Sequence, residues 1–149
     1  MDIENLLRLL NGHKVRYVII GAAAFPVYGY ARATLDVDIF IETSETNIKN
    51  CLTALKKFGY DVSDVSIHDL QKKKVLIRQY ITEVDIHPSV KGVSFEQVWK
   101  NRVRAKIDKV TANFASLDDL VRMKKAAGRP KDKEDLTILK KLQKRQKSK

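Results

Sequence analysis

The sequence predicts an α/β (α+β) fold: a small mixed β-sheet flanked by helices, with a helical hairpin at the C-terminus. Three observations carry this. The run Thr34-Leu35-Asp36-Val37-Asp38-Ile39-Phe40-Ile41 has the β-branched and aromatic composition of a strand. Helical and strand-like periods alternate before and after it. The last third holds two helical patterns separated by Gly128-Arg129-Pro130. At 149 residues the chain is long enough for one core. We expect a folded domain over residues 1–142 and a basic tail over 143–149.

Element by element, Ile3, Leu6, Leu7 and Leu10 recur at helical spacing behind Asp2, a good N-cap, and Gly12 is the stop. Residues 15–20 read as a strand ending at Gly21. Residues 22–28, small and helically spaced, predict a short helix in which Pro26 is tolerable only in the first turn. The aspartate-bearing strand follows, ending near Ile41. Ser44 caps a helix through residue 57 that Gly59 closes. Residues 60–69 read as a short strand or a loop with a turn. Residues 75–80 and 84–87 predict a β-hairpin, ended by Pro88. Ser94 opens a short helix carrying Phe95, Val98 and Trp99. Residues 103–110 alternate like a strand but are heavily charged. Ser116-Leu117-Asp118-Asp119 predicts a capping box for a helix stopping at Gly128. Pro130 starts the last helix, with Leu136, Ile138, Leu139 and Leu142 on its apolar face.

Composition narrows the class of protein. No stretch approaches the ~20 apolar residues of a membrane span, so we expect a soluble, cytoplasmic protein with no membrane partner. Cys51, the lone cysteine, falls on the apolar face shared with Ile48, Leu52 and Leu55 and reads as core. The formal charge of +11 is concentrated toward the end, where among residues 140–149 only Leu142, Gln143, Gln146 and Ser148 are uncharged. Such a tail attracts phosphate-rich partners nonspecifically, but it lacks interleaved aromatics for stacking bases.

The chemistry concentrates in three places. Asp36 and Asp38 are two apart in a strand, so both carboxylates leave the same face, where their repulsion calls for a cation such as Mg²⁺. Gly21-Ala22 closes a strand and opens a helix, a place where backbone amides face phosphate oxygens. Asp85, in Glu83-Val84-Asp85-Ile86-His87, supplies a third carboxylate. Two-metal phosphoryl transfer needs carboxylates holding ions about 3.5–4 Å apart and amides seating a triphosphate.

The ordered set Val18-Ile19-Ile20-Gly21-Ala22, Arg32-Ala33-Thr34-Leu35-Asp36-Val37-Asp38-Ile39 and Val84-Asp85-Ile86 resembles the nucleotidyltransferase superfamily that includes DNA polymerase β, in its minimal single-domain form. Arg-x-Thr-x-Asp-x-Asp, followed by Gly128-Arg129-Pro130-Lys131-Asp132 and Asp135, resembles its toxin–antitoxin subgroup. The resemblance spans about residues 1–142. It implies a nucleotidyltransferase-like fold and Mg²⁺-dependent transfer of an NMP from an NTP, ATP among them, to an acceptor hydroxyl on a protein, an RNA or a small molecule. The alternative it allows is a weak or inactive nucleotide-binding module serving a toxin–antitoxin partner. By carry-over, Asp36, Asp38 and Asp85 would be catalytic and hold two Mg²⁺ ions, with Asp85 also orienting or deprotonating the attacking hydroxyl. Gly21 and Ala22 would approach the phosphates. Ala22 departs from the Gly or Ser preferred at that position, which removes a hydroxyl or some backbone freedom but keeps the amide.

Several side chains admit two readings. Arg32 either pairs with a phosphate or forms a salt bridge to one of the aspartates or Glu42. Thr34 caps or packs at the strand entrance. His87 is a metal ligand or base, or a structural hydrogen-bonded histidine. Lys124 and Arg129 either flank a solvated turn that Asp132 caps or point toward the triphosphate, the direction that the resemblance implies. Phe95 and Trp99 read as core rather than as a base-stacking platform.

Overall fold

A computed structural model describes residues 2–31, 36–80 and 82–148. Helix α1 (Ile3–Gly12) starts where the Asp2 carboxylate accepts the Asn5 amide at 2.9 Å, and it buries Leu6, Leu7 and Leu10. Strand β1 (Tyr17–Ile20) follows and is buried throughout, as its continuous apolar sequence requires. Gly21–Tyr28 is a 3-10 helix rather than an α-helix. Pro26 therefore lies beyond the first turn, where there is no α-type hydrogen-bond ladder for it to interrupt.

Strand β2 (Asp36–Ile41) buries its second half and leaves its acidic first half partly open. Helix α2 (Glu45–Phe58) runs between Ser44 and Gly59, as expected, and buries Cys51. Residues 60–69 differ from the sequence reading, because Ile67–Lys72 is a helix, α3. Its signal is a capping box in which Ser66 and Asp69 each accept the other's amide. Strands β3 (Val75–Ile77) and β4 (Glu83–His87) form the expected hairpin.

Helix α4 (Phe95–Asn101) packs Phe95 edge-on against Phe40 at 5.2 Å. Trp99 stacks on Phe95 at 5.8 Å, with the Arg102 guanidinium 3.7 Å and that of Arg16 4.8 Å from its ring centre. Strands β5 (Val103–Ile107) and β6 (Val110–Phe114) form a second hairpin, turning at Asp108 with φ of 53°. β6 escaped the sequence reading because Thr111 and Asn113 dilute its short apolar alternation.

Helix α5 (Leu117–Ala127) is capped by Ser116, but the expected box is only half formed. The Asp119 carboxylate turns instead to Arg122 and Asn101. A 3-10 turn (Pro130–Asp132) leads into α6 (Lys133–Lys147), which packs on α5 as the predicted hairpin and carries the basic residues beyond 142 as further helical turns.

The sheet order is β3-β4-β2-β1-β6-β5. β2 runs antiparallel to β1 and parallel to β4, with Asp38 paired to both Ile20 and Asp85. Among the described residues, no helix is long and apolar enough to cross a membrane.

Candidate active site

The parallel register of β2 and β4 sets Asp38 opposite Asp85 and Asp36 opposite Glu83. Because strand side chains alternate, one face of these two strands carries Asp36, Asp38, Glu83, Asp85 and His87. Asp85 is buried at 6 % exposure, while Asp36 and Asp38 are half-buried. Gly21, just after β1, has φ of 69° and sits so close to Asp38 that a Cβ would force the Asp38 carboxylate to shift. The 3-10 helix that begins at Gly21 has no side-chain cap, so no side chain accepts from its first amides. Ala22 follows Gly21 into the same cavity wall.

His87, two residues beyond Asp85, places Nε2 2.8 Å from Asp38 Oδ1. Among the described residues, Asp38, Asp85 and His87 offer ligand atoms all within 4.8 Å of one another. Asp36 stands beside them and hydrogen-bonds Asp85. Burial, that shared hydrogen bond and the neighbouring charges of Asp38 and Asp85 raise the Asp36 pKa. Burial also pushes Asp85 upward, but hydrogen bonds from Arg78 and Asp36 and the Arg78 charge outweigh it, so its pKa is lowered. The two acids are thus driven apart, Asp36 toward the protonated form and Asp85 toward the carboxylate.

Arg78 is a neighbour of the acidic row that sequence reasoning missed. Its Nη1 is 2.5 Å from Asp85, its Nη2 3.4 Å from Asp36 and its Nε 3.2 Å from Glu83. The signal was in the hairpin: the register that pairs Ile77 with Val84 puts residue 78 opposite Glu83, on the acidic face.

The opposite wall is basic and comes from the α5–α6 turn. Two buried carboxylates build it, Asp132 at 3 % and Asp135 at 2 % exposure. Lys124 Nζ lies 3.0 Å from Asp132 and 3.3 Å from Asp135. Arg129 Nε donates to Asp132 at 2.8 Å, while the Tyr30 hydroxyl donates to Asp135 at 2.8 Å. Hydrogen bonds from Arg129 and Lys124 and their charges hold the Asp132 carboxyl well below the usual range, against its burial. Asp132 precedes α6 but makes no side-chain cap there, because both of its oxygens are engaged by these cations.

Between the walls lies a cavity of about 390 Å³, lined by Gly21, Ala22, Asp36, Asp38, Asp85, Lys124 and Arg129, with Phe25, Leu120 and Met123 as apolar lining. Its size is that of a small-ligand site. Every predicted site residue but one lies on this cavity; Arg32, like Thr34, is outside the described residues. Glu42, a considered partner for Arg32, pairs with Arg16.

A family model described as "Nucleotidyltransferase of unknown function (DUF6036)" matches residues 1–144. The chain belongs to this nucleotidyltransferase family. Membership makes it a transferase by class, in agreement with the resemblance carried by its glycine and aspartate motifs. No curated protein matches it. Among solved structures, it is similar to the lincosamide antibiotic adenylyltransferase LnuA, crystallised with lincomycin bound. That match has a TM-score of 0.61 at 16 % identity and covers 95 % of this chain and 98 % of that one. The likeness establishes the nucleotidyltransferase-like fold over nearly the whole chain.

Proposed function

We propose that this nucleotidyltransferase moves a nucleoside monophosphate from an NTP to an acceptor hydroxyl in a Mg²⁺-dependent reaction, with Asp36, Asp38 and Asp85 as its catalytic carboxylates. The observation that carries the reading is one cavity with a carboxylate row on one wall and a Lys124/Arg129 wall opposite, joined by the start of the 3-10 helix. The donor set fits a hard divalent cation: the carboxylates crowd on one face, and that crowding helps raise the Asp36 pKa.

Asp36, Asp38 and Asp85 would hold the metal, with His87 steadying Asp38 through Nε2. Bound there, Mg²⁺ would supply charge neutralisation at the α-phosphate and on the leaving pyrophosphate. Gly21 lets the backbone approach the triphosphate, and Lys124 and Arg129 draw its outer oxygens across the cavity. The acceptor oxygen attacks the α-phosphorus, forming one P–O bond as the bridging P–O bond to the β-phosphate breaks and pyrophosphate leaves. In this reading Asp85 orients the hydroxyl and takes its proton.

LnuA, as its name says, adenylylates a lincosamide antibiotic. That makes a small hydroxyl compound one acceptor class and ATP a donor to test. RNA ends and a protein, including a toxin–antitoxin partner, are the others. The test is incubation with each α-labelled NTP, Mg²⁺ and acceptors of the three classes. Mg²⁺-dependent label transfer that Asp38→Asn and EDTA abolish supports the reading; transfer that survives Asp38→Asn rejects the roles assigned here.

A further inference from the structure

We propose that Arg78 is a resident counter-cation of the carboxylate row, which a divalent metal must displace before it can occupy the site. This inference rests on the metal-dependent reading above. Each polar edge of the guanidinium faces a different acid: Nη1 meets Asp85 at 2.5 Å, Nη2 meets Asp36 at 3.4 Å and Nε meets Glu83 at 3.2 Å. Two of these acids are proposed metal ligands. A carboxylate oxygen already engaged by a charge-assisted hydrogen bond is a poorer ligand, and the guanidinium charge repels a second cation at the same place.

Among the described residues, Lys74 and Lys131 also line the cavity but make no ion pair with the carboxylate row, and the remaining cations pair with acids of the α5–α6 turn. Lys124 faces Asp132 and Asp135, and Arg129 faces Asp132. Arg78 also has somewhere to go. It follows β3, an edge strand of the sheet, and its side chain is 39 % exposed, so it can rotate into solvent without opening the core. Planar and five-donor, the guanidinium can span three carboxylates, which a lysine ammonium cannot do in the same way. The arrangement keeps the row partly neutralised without metal and weakens binding of a bare ion.

The test is Mn²⁺ binding without nucleotide, followed by electron paramagnetic resonance on the full chain. Wild type, Arg78→Ala, Arg78→Lys and Asp38→Asn are compared, with far-UV circular dichroism as the folding check. Arg78→Ala is expected to bind Mn²⁺ roughly tenfold more tightly than wild type, with Arg78→Lys between them. Equal or weaker binding by Arg78→Ala overturns the proposal and leaves Arg78 a positioning residue. Should Arg78→Ala fail to fold, Arg78→Lys decides alone, tighter binding supporting the idea and equal or weaker binding overturning it. Binding that Asp38→Asn abolishes but Arg78 variants leave unchanged removes this inference only. Absence of binding in all four proteins removes the metal reading together with it.

Discussion

Gly21 and Asp38 meet so closely at the β1–β2 junction that a Cβ on residue 21 would stand 2.8 Å from Asp38 Oδ2. Gly21 also holds φ of 69°, a conformation that L side chains rarely adopt. Both constraints act on the same residue, at the point where the 3-10 helix leaves the sheet. Gly21→Ala is therefore expected to cost about 2 kcal/mol of stability and to shift the Asp38 carboxylate. Chemical denaturation would give the first effect. Loss of Mg²⁺–NTP stabilisation, in protein that remains folded, would give the second.

Asp38→Asn keeps the size of the side chain and removes one negative charge from the row. Without ligand the variant is expected to melt at or slightly above the wild-type temperature, since Asp38 helps raise the Asp36 pKa. Mg²⁺–NTP at about a hundred times its Kd would stabilise wild type by about 2.7 kcal/mol and the variant by much less. Equal gains in the two proteins would place the ligand elsewhere.

Asp132 gives the expected acid dependence. Its folded-state pKa lies below the unfolded value, so its contribution is present above the ordinary carboxylate pKa, about 4, and is lost as pH falls below that. Asp132→Asn is expected to cost about 2 kcal/mol at neutral pH, because Arg129 and Lys124 each lose a charged partner. The gap between variant and wild type should narrow as pH drops from 4 toward 2. Urea titrations at pH 7, 5 and 3 measure it.

Lys124→Met separates binding from chemistry. If Lys124 draws the triphosphate equally in ground and transition states, the variant raises KM for NTP by roughly tenfold with kcat changed little. A fall in kcat at unchanged KM would instead move Lys124 into transition-state stabilisation. Some stability is also lost, since Asp132 and Asp135 lose their shared ammonium.

The sequence made Asp36, Asp38 and Asp85 legible because acids two apart, or alone in an apolar strand, stand out against their surroundings. What placed Asp85 against Asp38 is a parallel register between strands distant in the chain, and no local pattern encodes that. Lys124 and Arg129 entered through family resemblance, and their geometry depends on Asp132 and Asp135 being buried by the α5–α6 hairpin. Arg78 was hidden because its place on the acidic face follows only from the register of the β3–β4 hairpin. Helix α3 was there to be read in Ser66 and Asp69, but its six residues are too few to show a helical period. β6 likewise becomes evident only once it pairs with β1 and β5.

The two charged walls make the cavity an electric dipole within a strongly cationic molecule. The overall charge of +11 draws every polyanion from a distance and does not sort among them. A dipole has a shorter reach but is sensitive to orientation: it turns a ligand that is itself polar end to end and leaves a uniformly charged one without a preferred heading. Ionic strength should separate the two effects. Added salt would reduce the encounter rate of any polyanion with the outer surface, while the heading taken inside the cavity, where the charges are only ångströms apart, would survive.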